Sequence, residues 1–145
     1  MKADRVVNLQ DTKVNTKVVL SGLWISMLFV FAYVDIFGFF RADIINGSLA
    51  GKLPGSGFEI GQRFLALTTV YIVIPSLMVV ASLLAPARIN RTVNIVVSLV
   101  YAASVIAAMI GESWAYYIVG SVVEVVLLLT IARVAWTWPR GPSSR

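Results

Sequence analysis

Four apolar runs, each long enough to cross a hydrocarbon core, leave this chain little choice of architecture. They lie at roughly 18–40, 64–84, 92–110 and 114–138, and about 20 helical residues suffice for a crossing. Lipid offers no partner to a bare N–H or C=O, so each run must satisfy its own backbone as a helix. The sequence therefore predicts an all-α polytopic membrane protein, a four-transmembrane-helix bundle. With 145 residues there is room for a single domain, with helices at about 18–40, 58–84, 87–110 and 114–138 and an outer loop over 41–57. Apolar residues reach 59% and charged ones only 13%, about half the charged fraction of a soluble domain. The first run is too long for a signal peptide and lacks a small-x-small cleavage site.

Boundary chemistry refines the division. Ser56 and Glu59 have capping-box spacing, so the second helix is expected to begin before the membrane does. Pro86 suits the first turn of the third helix, and Ser113 could cap the fourth. Trp114, Tyr116 and Tyr117 at one end of that helix, with Trp136 and Trp138 at the other, form aromatic belts, and Pro139 stops it. Gly47, Gly51, Pro54, Gly55 and Gly57 break up the long loop, although 42–50 could form a short helix in the interface.

Orientation follows from the basic residues. Lys2, Arg5, Lys13, Lys17, Arg88, Arg91, Arg133, Arg140 and Arg145 fall on one side, and Arg41, Lys52 and Arg63 on the other. Nine against three puts both termini in the cytoplasm. The net charge of +5 is thus accounted for by lipid headgroups, not nucleic acid.

Few groups are equipped for chemistry. Without cysteine or histidine there is no disulfide, no thiolate and no imidazole base or ligand. A bundle di-iron site wants four carboxylates and two histidines, the loop glycines lack a phosphate-binding pattern, and no metal or cofactor is implied. Two carboxylates, Asp35 and Glu124, do sit inside apolar runs, which costs a few kcal/mol and calls for a reason. At about 1.5 Å per residue, Asp35 lies toward the outer surface and Glu124 nearer the middle, with Tyr71 and Tyr101 close in height. Ser21, Trp24, Leu28, Phe31 and Asp35 share one stripe, Asn94, Ser98, Tyr101 and Ala108 a second, and Tyr117, Ser121, Glu124 and Leu128 a third. Such stripes face protein or water. The candidate ligand or proton site is accordingly Asp35, Glu124, Tyr71, Tyr101 and Asn94. With no cation at that depth, the two acids should not both be charged at neutral pH. The competing reading is a neutral hydrogen-bonded clasp between helices. Pro75 should free a carbonyl and kink the second helix, shaping either a pocket beside Tyr71 or only the bundle. Ser98, Ala102, Ala103, Ala107 and Ala108 suit close helix packing, or a homo-oligomer interface.

The segments Leu23-Trp24-Ile25, Tyr33-Val34-Asp35, Ile74-Pro75, Asn90-Arg91, Asn94-Ile95, Tyr116-Tyr117, Glu124 and Trp136-Thr137-Trp138-Pro139 together resemble a family of small bacterial four-helix membrane proteins known as a domain of unknown function. The resemblance covers all four helices. It implies a bacterial inner-membrane location and draws notice to Asp35, Asn94 and Glu124, but no activity. In layout alone the chain is similar to DoxX-like membrane proteins.

Three functions fit these features. The first is binding or transport of a small apolar or cationic ligand, ion or proton through the carboxylates. The nine-to-three charge bias argues against the dual-orientation multidrug transporters within that class. The second is an isomerase-like enzyme acting on a lipid or quinone, with one carboxyl protonated and one ionised. The third is a structural or accessory subunit.

Overall fold

The side-chain oxygen of Asn15 accepts the backbone N–H of Lys17 at 2.9 Å, an N-cap contact that starts the first long helix, α1 (Thr16–Gly38). The computed structural model describes residues 12–54 and 57–139. Ser56 and the basic residues Lys2, Arg5, Arg140 and Arg145 lie outside the described residues. A short helix, α2 (Ala42–Leu49), follows, and then α3 (Gln62–Leu84), α4 (Ala87–Ala108) and α5 (Ala115–Trp136). The four long helices are each apolar and long enough to cross a membrane. The protein is an all-α, multi-pass membrane protein.

Three boundaries differ from the sequence expectation. Helix α3 starts at Gln62, behind an extended Gly61 with no side-chain cap. Glu59 makes no capping box there, because its backbone pairs with Lys52 in an isolated antiparallel bridge. Pro86 does not occupy the first turn of α4. It is the extended residue before it (φ −59, ψ 146), where a fixed φ and a missing N–H cost nothing. Ser113 does not cap α5; Oε1 of Glu112 takes the backbone N–H groups of Ser113 (2.8 Å) and Trp114 (3.1 Å) instead. The carboxylate wins because an anion suits a helix N-terminus better than a hydroxyl does. Gly111, at φ +86, makes the turn before it.

Helix α1 packs against α3 on one side and α5 on the other; α5 also packs against α4, and α4 meets α3 only lightly. The result is a ring with one weak seam, between α3 and α4. At the end where α1 begins and α5 finishes, the terminal end, the seam is held shut. The turn between the two helices is short, and Nζ of Lys17 donates to the carbonyls of Leu83 (3.2 Å) and Ala85 (2.8 Å), satisfying the end of α3. Toward the opposite, loop end it opens.

Lipid is as apolar as leucine, so burial gives these helices little reason to associate; close fit and hydrogen bonds must hold them. Helices α1 and α5 approach closely at Gly120. A Cβ on Gly120 would run into Cγ2 of Val34, so only glycine allows this approach. Trp24, Leu20, Leu128 and Ile131 are fully buried farther along the same two helices, in the terminal half. The terminal half also holds a saturated polar cluster. Oδ1 of Asn94 accepts Nε1 of Trp24 (2.7 Å) and Oγ of Ser82 (3.2 Å). Its Nδ2 donates to the carbonyl and Oδ1 of Asn90, and Nδ2 of Asn90 donates to the carbonyl of Ser82 at 2.6 Å. Three helices are thereby tied together with Asn94 fully used.

Candidate functional site

In the loop half, the divergence of α3 from α4 leaves a chamber of about 530 Å³, lined by side chains of all four long helices. Glu124 enters its wall nine residues into α5, about 14 Å along the helix. Tyr71 lies nine residues into α3, at a matching depth. Asp35, three residues from the end of α1, stands nearer the mouth together with Tyr117. Phe31, Val34, Phe64, Val105 and Ala108 supply an apolar surround, Ser104 and Ser121 add hydroxyls, and Phe58 of the long loop reaches in from above.

The two acids differ in setting. Glu124 is 2% exposed, and its Oε1 is buried with no hydrogen-bond partner. Asp35 is exposed. The ion pairs formed among the described residues involve neither of them. Among the described residues no three acidic groups cluster as metal ligands do.

The chamber floor is built around Pro75. Having no N–H, Pro75 leaves the carbonyl of Tyr71, four residues earlier, without its helical donor. The hydroxyl of Tyr101 donates to that carbonyl at 2.6 Å. Oγ of Ser104 donates to the carbonyl of Tyr101 at 2.8 Å, which commits its proton, so the Tyr71 hydroxyl is the donor in the 2.6 Å bond between Tyr71 and Ser104. The two rings stack with centroids 4.7 Å apart. This loop of bonds latches α3 to α4 at mid-height. Below it, beside Pro75, remains a crevice of only about 10 Å³, space for one water at most. The open volume beside Tyr71 is therefore on the loop side of the latch, not at the proline itself.

At the rim, Arg41, a loop charge by its place in the sequence, is only 8% exposed. Its guanidinium holds Asp43 through Nε (3.1 Å) and Nη2 (2.6 Å), holds Oε2 of Glu112 at 3.0 Å, and lies 4.5 Å from the centre of the Trp114 ring. The bond from Arg41 keeps the Asp43 carboxyl below its ordinary range. Burial works against charge on Glu112, but the N–H groups of Trp114, Arg41 and Ser113 outweigh it, and that carboxyl too is held low. The clamp joins the end of α1 to the α4–α5 turn.

Of the residues singled out in sequence, Asp35, Glu124 and Tyr71 thus meet at one chamber. Tyr101 lies beneath it, spent on the latch. Asn94 is in the terminal half, inside the saturated cluster, and lines no part of the chamber. Residues that sequence reasoning passed over are Ser104, Gly120, Phe58 and Arg41. The spacing of Tyr71 four before Pro75 was a readable signal for the latch; nothing in the sequence marked the other partners.

The model of a family of unknown function, DUF6326, matches residues 7–143. No curated protein and no solved structure matches the chain, so the comparisons show no similarity to DoxX-like proteins.

Proposed function

The chain belongs to DUF6326, and we propose that it is a binding protein of the bacterial plasma membrane, with its termini in the cytoplasm and its chamber facing outward. The chamber takes a small, largely apolar molecule with one cationic, hydrogen-bond-donating group. The observation that carries this reading is Oε1 of Glu124, buried at the chamber wall without a partner. A buried acceptor left alone costs about 1–3 kcal/mol, and no donor of the described chain reaches it. A donor arriving through the chamber removes that cost. The volume is in the range of small-molecule sites, and the lining of aromatic and aliphatic groups around a few polar ones is of the same kind. Phe31, Phe58 and Phe64 beside two acids favour a cation over a neutral guest.

Binding is favoured over transport in this conformation. The tyrosine latch and the asparagine cluster close the bundle below the chamber, so a passenger would have to break both. The latch hydroxyls are engaged with backbone and with one another, which leaves less for an isomerase to use.

The test is thermal unfolding of detergent-purified protein with decylamine and with decanol. Decylamine should raise the midpoint, as any ligand of the native state does, and decanol should not. The shift should vanish in Glu124→Gln and weaken in Asp35→Asn, but persist in Glu112→Gln. Equal shifts for the two compounds, or a shift untouched by both chamber substitutions, would reduce the acids to a clasp between helices.

A further inference from the structure

We infer that the natural guest is a membrane amphiphile whose head carries a primary amine beside a phosphate, as aminophospholipids do, and that it enters sideways past the first turns of α3. This deepens the reading of the chamber as a ligand site and rests on it.

A second cavity, about 510 Å³, lies against the outer flank of α3 and is lined by Arg63, Leu67 and Thr68. It shares Phe58, Phe64 and Tyr71 with the chamber, so the two spaces meet along an aromatic edge. Leu67 is 71% exposed, on a helix whose exposed face meets lipid. A guest can thus lie with its tail among the lipid chains and its head in the chamber, without leaving the membrane.

The charges along this path are ordered. Inside stand Asp35 and Glu124; at the rim, one residue into α3, stands Arg63, with Glu59 as a further charge in the lining of the outer cavity. Arg63 is exposed and has no hydrogen bond or ion pair within the described chain. Asp35 and Arg63 both lie within the first turn of the loop end. An amine with three N–H groups can serve Asp35 and the vacant lone pairs of Glu124 together. A guanidinium is the side chain best shaped for a phosphate. A plain alkylamine would use only the inner half of this arrangement, and an anionic lipid only the rim.

Affinities in detergent should be measured for dihexanoyl phosphatidylethanolamine, dihexanoyl phosphatidylglycerol, decylamine and O-phosphoethanolamine. The ethanolamine lipid should bind about tenfold more tightly than the glycerol lipid, the scale of one charge-assisted hydrogen bond. Arg63→Gln should bring the ethanolamine lipid down to the level of decylamine while leaving decylamine unchanged, and Glu124→Gln should weaken both. Equal binding of the two lipids, or indifference of the ethanolamine lipid to Arg63→Gln, overturns the inference while the chamber reading survives through decylamine. Binding of O-phosphoethanolamine as tight as that of the lipid would mean a soluble ligand and overturns the lateral route. If decylamine itself ignores Glu124→Gln, the chamber reading falls.

Discussion

Replacing Tyr101 with phenylalanine removes one oxygen, and its cost should depend on whether residue 75 is proline. In the native chain the Tyr101 hydroxyl is the donor that the Tyr71 carbonyl loses to Pro75. Tyr101 is only 6% exposed, so water does not replace it. A stranded buried acceptor costs about 1–3 kcal/mol in soluble proteins, and interhelical bonds in membranes average about 0.6 and reach about 1.7 kcal/mol. The short bond and the missing helical donor place Tyr101→Phe at the upper end, about 1–2 kcal/mol. In a Pro75→Ala background the new amide can supply the missing helical bond, and the same substitution should cost under about 0.5 kcal/mol. The coupling of about 1 kcal/mol can be read from reversible unfolding of the four proteins in mixed micelles. Additive costs, equal within about 0.3 kcal/mol in both backgrounds, would mean that the hydroxyl is not the substitute donor and that the latch is misread.

Three further outcomes follow from other contacts. Gly120→Ala should destabilise the bundle by about 1–3 kcal/mol through overpacking, measured by the same unfolding, and Val34→Ala should recover part of it, because the added Cβ meets Val34. Both acids of the Arg41 clamp have lowered folded-state values, so their stabilisation is full above the unfolded values of 3.8 for Asp43 and 4.5 for Glu112 and is lost as pH falls through the lower folded ones. Melting curves from pH 6 down to about 3 should therefore fall more gently in Arg41→Gln than in the native chain, and parallel curves would remove the clamp from the account. With no native cysteine, single cysteines at Lys52 and Arg88 should label from outside and from the cytoplasm respectively; labelling of both from one side contradicts the four-crossing arrangement.

Much of the fold could be read ahead of the structure because membrane helices advertise themselves by length and apolarity. The four long apolar helices and the short helix after the first follow from that pattern and from the glycines around it. Helix starts were less legible. Ser113 has the right chemistry for a cap, yet Glu112 beside it is an anion and takes both amides. Asp35, Glu124 and Tyr71 were visible as site candidates since polar groups stand out against an apolar run. Asn94 stood out equally, and only the packing of Trp24, Ser82 and Asn90 around it shows that its bonds are all used inside the bundle. Arg41 looks like any loop cation until the fold brings Glu112 and Trp114 to it. The width of the α3–α4 seam depends on how helices diverge over many residues, which no local spacing encodes.

The chamber as a ligand site is the central claim, and a density map of protein extracted gently from its native membrane addresses it most directly. The expected map has elongated density in the chamber, a polar end within hydrogen-bond distance of Oε1 of Glu124 and near Asp35, and a tail passing Phe58 and Phe64 toward lipid. A chamber collapsed around Glu124, with Oε1 bonded to a donor of its own chain and no space between α3 and α4, would contradict the account.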